Sequence, residues 1–252
     1  MGTVTSRDGT RIAYESAGSG PPLILVDAAG HYRANSAHGE LADLLAAEFA
    51  VHRYDRRGRG DSTDTPPYAP EREVEDLAAL IAAIGAPTSL YGYSSGCLLA
   101  LHAAAASLDI HRLVLLEPPL DPTVDSAEQR AFTATLRELS DADAVAFFLT
   151  AIGVPEEIVA GMRGTPHWTA MVSVAHTLAY DSSLSEATTA ELLARATAPT
   201  LVLDSGGSTD DLTGMAATAA ALLPNAVHRS LPGEWHQVPA TTLAPVVAGF
   251  LR

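Results

Sequence analysis

The stretch LYGYSSGCLLALHAAAA, residues 90–106, passes from an apolar run into an alanine-rich helical pattern through Gly92-Tyr93-Ser94-Ser95-Gly96. A strand that turns this sharply into a helix needs small residues at the bend. Gly92 and Gly96 let the chain turn tightly and the helix pack close to its strand. The spacing is G-x-S-x-G, whose central residue projects its hydroxyl from the carboxyl edge of a sheet. Ser94 also stands at a helix N-terminus, where backbone N–H groups and the helix dipole favour developing negative charge. Ser94 is therefore the candidate nucleophile, and Ser95 the candidate donor of a backbone N–H to an oxyanion hole. A helix N-cap serine between structural glycines is the plainer alternative. The surrounding pattern decides between them.

That pattern alternates strand and helix. TRIAYESA alternates like a strand after an Asp8-Gly9 turn, and PPLILVD is a short buried strand. Residues 38–49 read as helix and AVHRYD as strand. PEREVEDLAALIAAIGA is a helix with an early proline, acids in its first turns and Gly85 near its end. IHRLVLLE, PTLVLDS and AVHRSL follow as strands, with helices over 95–108 and 209–222 and a closing helix in TTLAPVVAGFLR. The expectation is an α/β fold with a mostly parallel central sheet and helices on both faces. Between Pro118 and Ala198 the pattern is helical throughout, including one helix over HWTAMVSVAHTLAY. Such an insertion at the carboxyl end of a strand lies where open α/β sheets bind ligands. It divides the chain into core residues 1–117 and 199–252, with a helical cap over 118–198.

A serine hydroxyl needs a neighbouring base, and histidine usually supplies it. Of the nine histidines, His236 in LPGEWHQVP occupies a loop after the last strand and before the last helix. The acid has two candidates. Glu117 ends LVLLE at the sheet's carboxyl edge with Pro118-Pro119 behind it, where a lone carboxylate would be desolvated and need a partner. Asp210 lies after PTLVLDS, where acids at a helix start also have structural reasons. Glu117 is preferred. Trp168, on a cap helix, has a large ring with one polar N–H and is the candidate substrate-binding residue.

Nearly the whole chain resembles the α/β-hydrolase superfamily, through LILVDAAG, YDRRGRGDS, the elbow, the cap and LPGEWHQVP in that order. The resemblance implies a triad of Ser94, His236 and an acid. It also implies an oxyanion loop in which Ala28, or alternatively Ala29, gives a backbone N–H beside that of Ser95. Asp27 departs from the His-Gly of many relatives and is read as a loop anchor. DAAG, YSSG, LLEPP and LPGEWH are similar to segments of zearalenone lactonases, which points to a lactone or a bulky hydrophobic ester. Non-hydrolytic members of the fold, such as lyases, cyclisation catalysts and receptors, form the competing class.

Composition narrows the partners. A net charge of −15 argues against nucleic acid and anionic membranes. The single cysteine, Cys97, allows no internal disulfide, and neither a signal peptide nor a membrane-spanning run is evident. A cytoplasmic protein is expected, with no cofactor, no metal and a small apolar substrate; the oligomeric state is left open.

Overall fold

The computed structural model describes residues 1–121 and 123–252. Its strands are β1 (Gly2–Thr5), β2 (Arg11–Ala17), β3 (Pro22–Val26), β4 (Ala50–Tyr54), β5 (Thr88–Tyr93), β6 (Ile110–Leu116), β7 (Thr200–Ser205) and β8 (Ala226–Leu231). They form one sheet in the order β1-β2-β4-β3-β5-β6-β7-β8. Strands β1, β2 and β4 pair antiparallel, and all the later neighbours are parallel. Strand β5 is buried along its whole length. A parallel strand covered by helices on both faces is buried in this way.

The covering helices on one face are α1 (Gly39–Leu45) and α11 (Ala240–Leu251). On the other are α2 (Pro70–Ile84), α3 (Ser95–Ala105), α9 (Ala190–Arg195) and α10 (Asp210–Leu222). Helix α2 begins at a proline, carries Glu71 and Glu73 in its first turn and ends at Gly85 with φ 74°. Each of these features suits its terminus. Cys97 sits fully buried in α3, with its Sγ on the Leu116 carbonyl, as a small core residue.

Between β6 and β7 lie α4 (Ser126–Glu138), α5 (Asp141–Ala151), α6 (Glu156–Met162), α7 (Pro166–Val172), a 3-10 turn (Ala175–Thr177), α8 (Leu178–Ala187) and then α9. The single helix expected over HWTAMVSVAHTLAY is broken after Val172. Ser173 and Thr177 turn their hydroxyls onto the carbonyls of Ala170 and Val174, in a stretch that also holds the β-branched Val172 and Val174. Local side-chain bonds of this kind compete with the helical ladder. The apolar stripe survives the break, because Trp168, Met171, Ala175 and Leu178 all join one cluster. Helix α9 belongs elsewhere. Leu192, Leu193 and Ala196 pack into the core cluster on the sheet, so the insertion ends inside the core layer.

Candidate active site

Strand register builds the site. Val26 pairs with Gly92, Tyr93 with Leu116 and Leu116 with Leu203, so Asp27, Ser94, Glu117 and Asp204 emerge at one edge. Among the described residues four non-glycines have φ in the left-handed region. They are Ser94 (51°), Glu117 (51°), His236 (55°) and Ser107 (60°). Each such residue costs on the order of 1–3 kcal/mol and persists only where its surroundings over-determine it. Three of the four are the residues singled out above as nucleophile, acid and base.

At the elbow, close packing needs glycine. A Cβ on Gly96 would lie 2.2 Å from the Val26 carbonyl oxygen, and one on Gly92 would lie 2.7 Å from Cys97 Cα. Both obstacles are backbone. The Ser94 N–H donates to the Leu116 carbonyl at 2.9 Å, which ties the elbow to the residue before Glu117.

Glu117 has no exposed surface. Its Oε1 accepts from the Ser205 N–H at 2.8 Å and from Ser208 Oγ at 2.6 Å, while Oε2 faces His236 Nδ1 at 2.5 Å. Burial alone would raise its pKa, but the hydrogen bonds from His236, Ser208 and Ser205 outweigh it and hold the carboxyl below its usual range. An ionised carboxylate can only accept, so Nδ1 carries the proton and Nε2 keeps its lone pair. The backbone of His236 is held at both ends: its N–H donates to Ser208 Oγ, and its carbonyl accepts from the Tyr93 hydroxyl, each at 2.9 Å. The ring's hydrogen bond runs to Glu117, with none to Ser94 among the described residues. Catalytic contacts are often made only with substrate bound. Asp210, the other candidate acid, is exposed at the start of α10. Asp204 is buried and bound to His228 on β8.

The loop after β3 is held from behind by arginines. Arg56 Nη1 approaches the Asp27 carbonyl at 3.4 Å, and Arg59 Nη1 donates to the Ala28 carbonyl at 2.7 Å. In a trans peptide the N–H points opposite its carbonyl, so the Ala28 and Ala29 N–H groups face away from the arginines. Both alanines are buried. The Asp27 carboxylate accepts from Ser36 Oγ at 2.9 Å, which is a loop-anchoring contact. Trp168 is 7% exposed in the apolar cluster of the helices between β6 and β7, which also includes Ala29 of this loop. Its ring lies under the Arg163 guanidinium at 5.1 Å.

Reading the sequence overlooks Ser205 and Ser208, which brace Glu117, and Tyr93, which reads there only as a variable elbow position. It also overlooks His38, buried between the rings of Tyr91 and Tyr93 at 5.1 and 4.5 Å with its Nδ1 unpartnered. Burial pushes this imidazole from 6.5 down to about 4, against the pull of Asp27. On acidification the unfolded chain takes up the proton first, so the stability from neutral His38 is complete above about 6.5 and is lost as the pH falls towards about 4. Between pH 7 and pH 5 the loss is expected to be about 2 kcal/mol. Urea midpoints at the two pH values should show a drop in the wild type that is smaller by this amount in His38→Phe.

No group of three or more His, Cys, Asp or Glu side chains is placed to hold a metal ion among the described residues, and no helix there is long and apolar enough to cross a membrane. No curated protein matches the chain. A crystal structure of an alpha/beta hydrolase from Sphaerobacter thermophilus is similar at 43% identity over 100% of both chains, with a TM-score of 0.87. A thermophilic esterase from Thermogutta terrifontis (22% identity, 100% and 97% covered, TM-score 0.77) shares the fold. So does an enol-lactonase from Burkholderia xenovorans (20%, 99% of each, 0.76). The narrower likeness to zearalenone lactonases has no support in these comparisons. The model of the alpha/beta hydrolase family matches residues 17–248, and the chain belongs to that family.

Proposed function

We propose that the protein is a serine hydrolase that cleaves a carboxylic ester or lactone through an acyl-enzyme. The observation that carries this is the pairing of buried Glu117 with partly exposed His236 at one sheet edge with Ser94, each at a left-handed backbone position. The Glu117 carboxylate orients the imidazole and stabilises its protonated form. Nε2 then takes the Ser94 hydroxyl proton as Oγ attacks the acyl carbon. The oxyanion of the tetrahedral intermediate is received by the N–H groups of Ser95 and Ala28. Collapse breaks the bond to the alkoxy oxygen, which leaves with the proton from His236. Water repeats the sequence on the acyl-enzyme and releases the acid. The neighbours named esterase and enol-lactonase support an ester or lactone as the substrate class.

Labelling with a fluorophosphonate, peptide mapping of the adduct and a hydrolysis panel of esters and lactones test this together. The expected result is an adduct on Ser94 and turnover of at least one panel class. An unlabelled protein that binds one ligand tightly without hydrolysing any would place it among the non-hydrolytic members of the fold.

The cap helices α4–α8 would close over the substrate, with the Trp168 side of the pocket formed by their apolar cluster. Trp168→Ala is expected to destabilise the fold by about 3–5 kcal/mol through the cavity it leaves. It should also raise KM for bulky acyl substrates more than for acetate esters. A melting temperature lowered with equal KM changes on both would leave Trp168 a packing residue only.

A further inference from the structure

The arginines behind the oxyanion loop meet a carboxylate from the cap. Asp181 of α8 is 3% exposed. Its Oδ1 accepts from Arg56 Nη1 at 2.6 Å and from Ser95 Oγ at 2.8 Å, and its Oδ2 from Arg59 Nη2 at 2.5 Å. Arg56 is also clasped by Glu73 through Nε and Nη2, both at 2.7 Å. The Tyr68 hydroxyl donates to the same Glu73. Both arginines are 1% exposed and Glu73 is 2%. Two guanidiniums and two carboxylates thus form a buried cluster of balanced charge. Burial alone would raise the Asp181 carboxyl, but the two arginines outweigh it and keep it ionised.

A buried ionic cluster adds little net stability over apolar packing of the same volume. What this one supplies is direction. The same Arg56 Nη1 that pairs with Asp181 reaches the Asp27 carbonyl, and Arg59 spends its other Nη on the carbonyls of Ala28 and His31. Holding those carbonyls turns the N–H groups of the loop the other way. The third contact of Asp181 is to the side chain of Ser95, whose backbone N–H is the other proposed oxyanion donor.

We propose that Asp181 is a positioning residue for the oxyanion hole: its carboxylate holds Arg56 and Arg59 on the loop carbonyls and Ser95 at the elbow, so that seating of the cap aligns both donors. This rests on the serine-hydrolase reading above. The cap then does more than cover substrate, because with α8 displaced the arginines lose the partner that fixes their reach.

The test compares wild type, Asp181→Asn and the double variant Arg59→Met/Asp181→Asn, in which Arg56 and Glu73 remain as a neutral pair. Melting temperature, kcat and KM for a substrate found in the panel, and Ki for an aryl trifluoromethyl ketone are measured on each. The ketone's serine adduct places an oxyanion in the hole. For Asp181→Asn, kcat should fall about 100-fold with KM within about threefold, and Ki should rise by the same factor as kcat falls. In the double variant the melting temperature should recover towards wild type while kcat and Ki do not. Activity that returns with stability, or a Ki that stays at the wild-type value, would overturn the proposal. Should both variants fail to fold, Ser95→Ala decides, since it keeps every ion pair and cuts only the link from carboxylate to elbow. A loss of about tenfold in kcat with a matching rise in Ki supports the proposal, and no change in either overturns it. A wild type that is neither labelled by fluorophosphonate nor affected by Ser94→Ala would sink the serine reading and this inference with it. A labelled, active wild type with an indifferent Asp181→Asn would sink this inference alone.

Discussion

Ser94→Ala is expected to abolish fluorophosphonate labelling and to lower kcat by about four to six orders of magnitude. The substitution removes the one atom that would bond to the acyl carbon, and with it the acyl-enzyme route. Residual hydrolysis should reflect the oxyanion donors alone. Stability should change little, because Ser94 is only partly buried and its backbone bonds, N–H to Leu116 and carbonyl from Cys97, do not use the side chain. Relief is limited as well, since alanine meets the same left-handed φ of 51°. Stopped assays on a variant with a wild-type melting curve are the measurement. Retention of more than about 1% of kcat would contradict a covalent serine mechanism. Ser95→Ala, by contrast, should remain labelled at Ser94, because the proposed nucleophile is intact and the Ser95 hydroxyl serves only to link the elbow to Asp181.

The second large effect is at the acid. Glu117→Gln is expected to lower kcat by about 10³–10⁴-fold, and Asp210→Asn to leave most of it. The reason is the tautomer. The carboxylate can only accept from Nδ1 and leaves Nε2 free to take the serine proton. An amide NH₂ at the same place can donate to Nδ1, which moves the ring proton to Nε2 and removes the base. The glutamine also meets Ser208 Oγ and the Ser205 N–H, both of which now donate to Oε1, so its carbonyl is directed there and its NH₂ towards His236. Asp210 is exposed at the start of α10 and has no comparable environment. Kinetics on both variants, each checked for a wild-type circular dichroism spectrum, separate the two. A crippled Asp210→Asn beside an active Glu117→Gln would move the acid to α10.

Much of the architecture is legible in the sequence because its causes are local. Apolar runs of strand length, amphipathic helices with Pro70 and Gly85 at their ends, and the small residues of the elbow state their roles by period and spacing. The order of LILVDAAG, the elbow, LVLLE and LPGEWHQVP along the chain, through its resemblance to the superfamily, is enough to name Ser94 and His236 as candidates and to prefer Glu117 over Asp210 as the acid. The same resemblance implies an oxyanion loop at Ala28 or Ala29.

Tertiary structure decides what depends on long-range contact. Whether Glu117 or Asp210 meets His236 cannot be read from spacing, since 119 residues separate Glu117 from its partner. The alignment of strand ends across β5, β6 and β7 settles which carboxylate is buried and which faces water. The helix expected through HWTAMVSVAHTLAY breaks because side-chain hydroxyls compete for its carbonyls, a balance that periodicity does not register. Asp181 lies furthest from the reach of sequence reasoning. It reads as an ordinary polar residue of a helix, and only the seating of α8 on the arginine loop, across 125 residues of chain, turns it into a buried partner of Arg56. Local propensity follows from each residue and its near neighbours, whereas burial and charge pairing exist only once distant segments have excluded water between them.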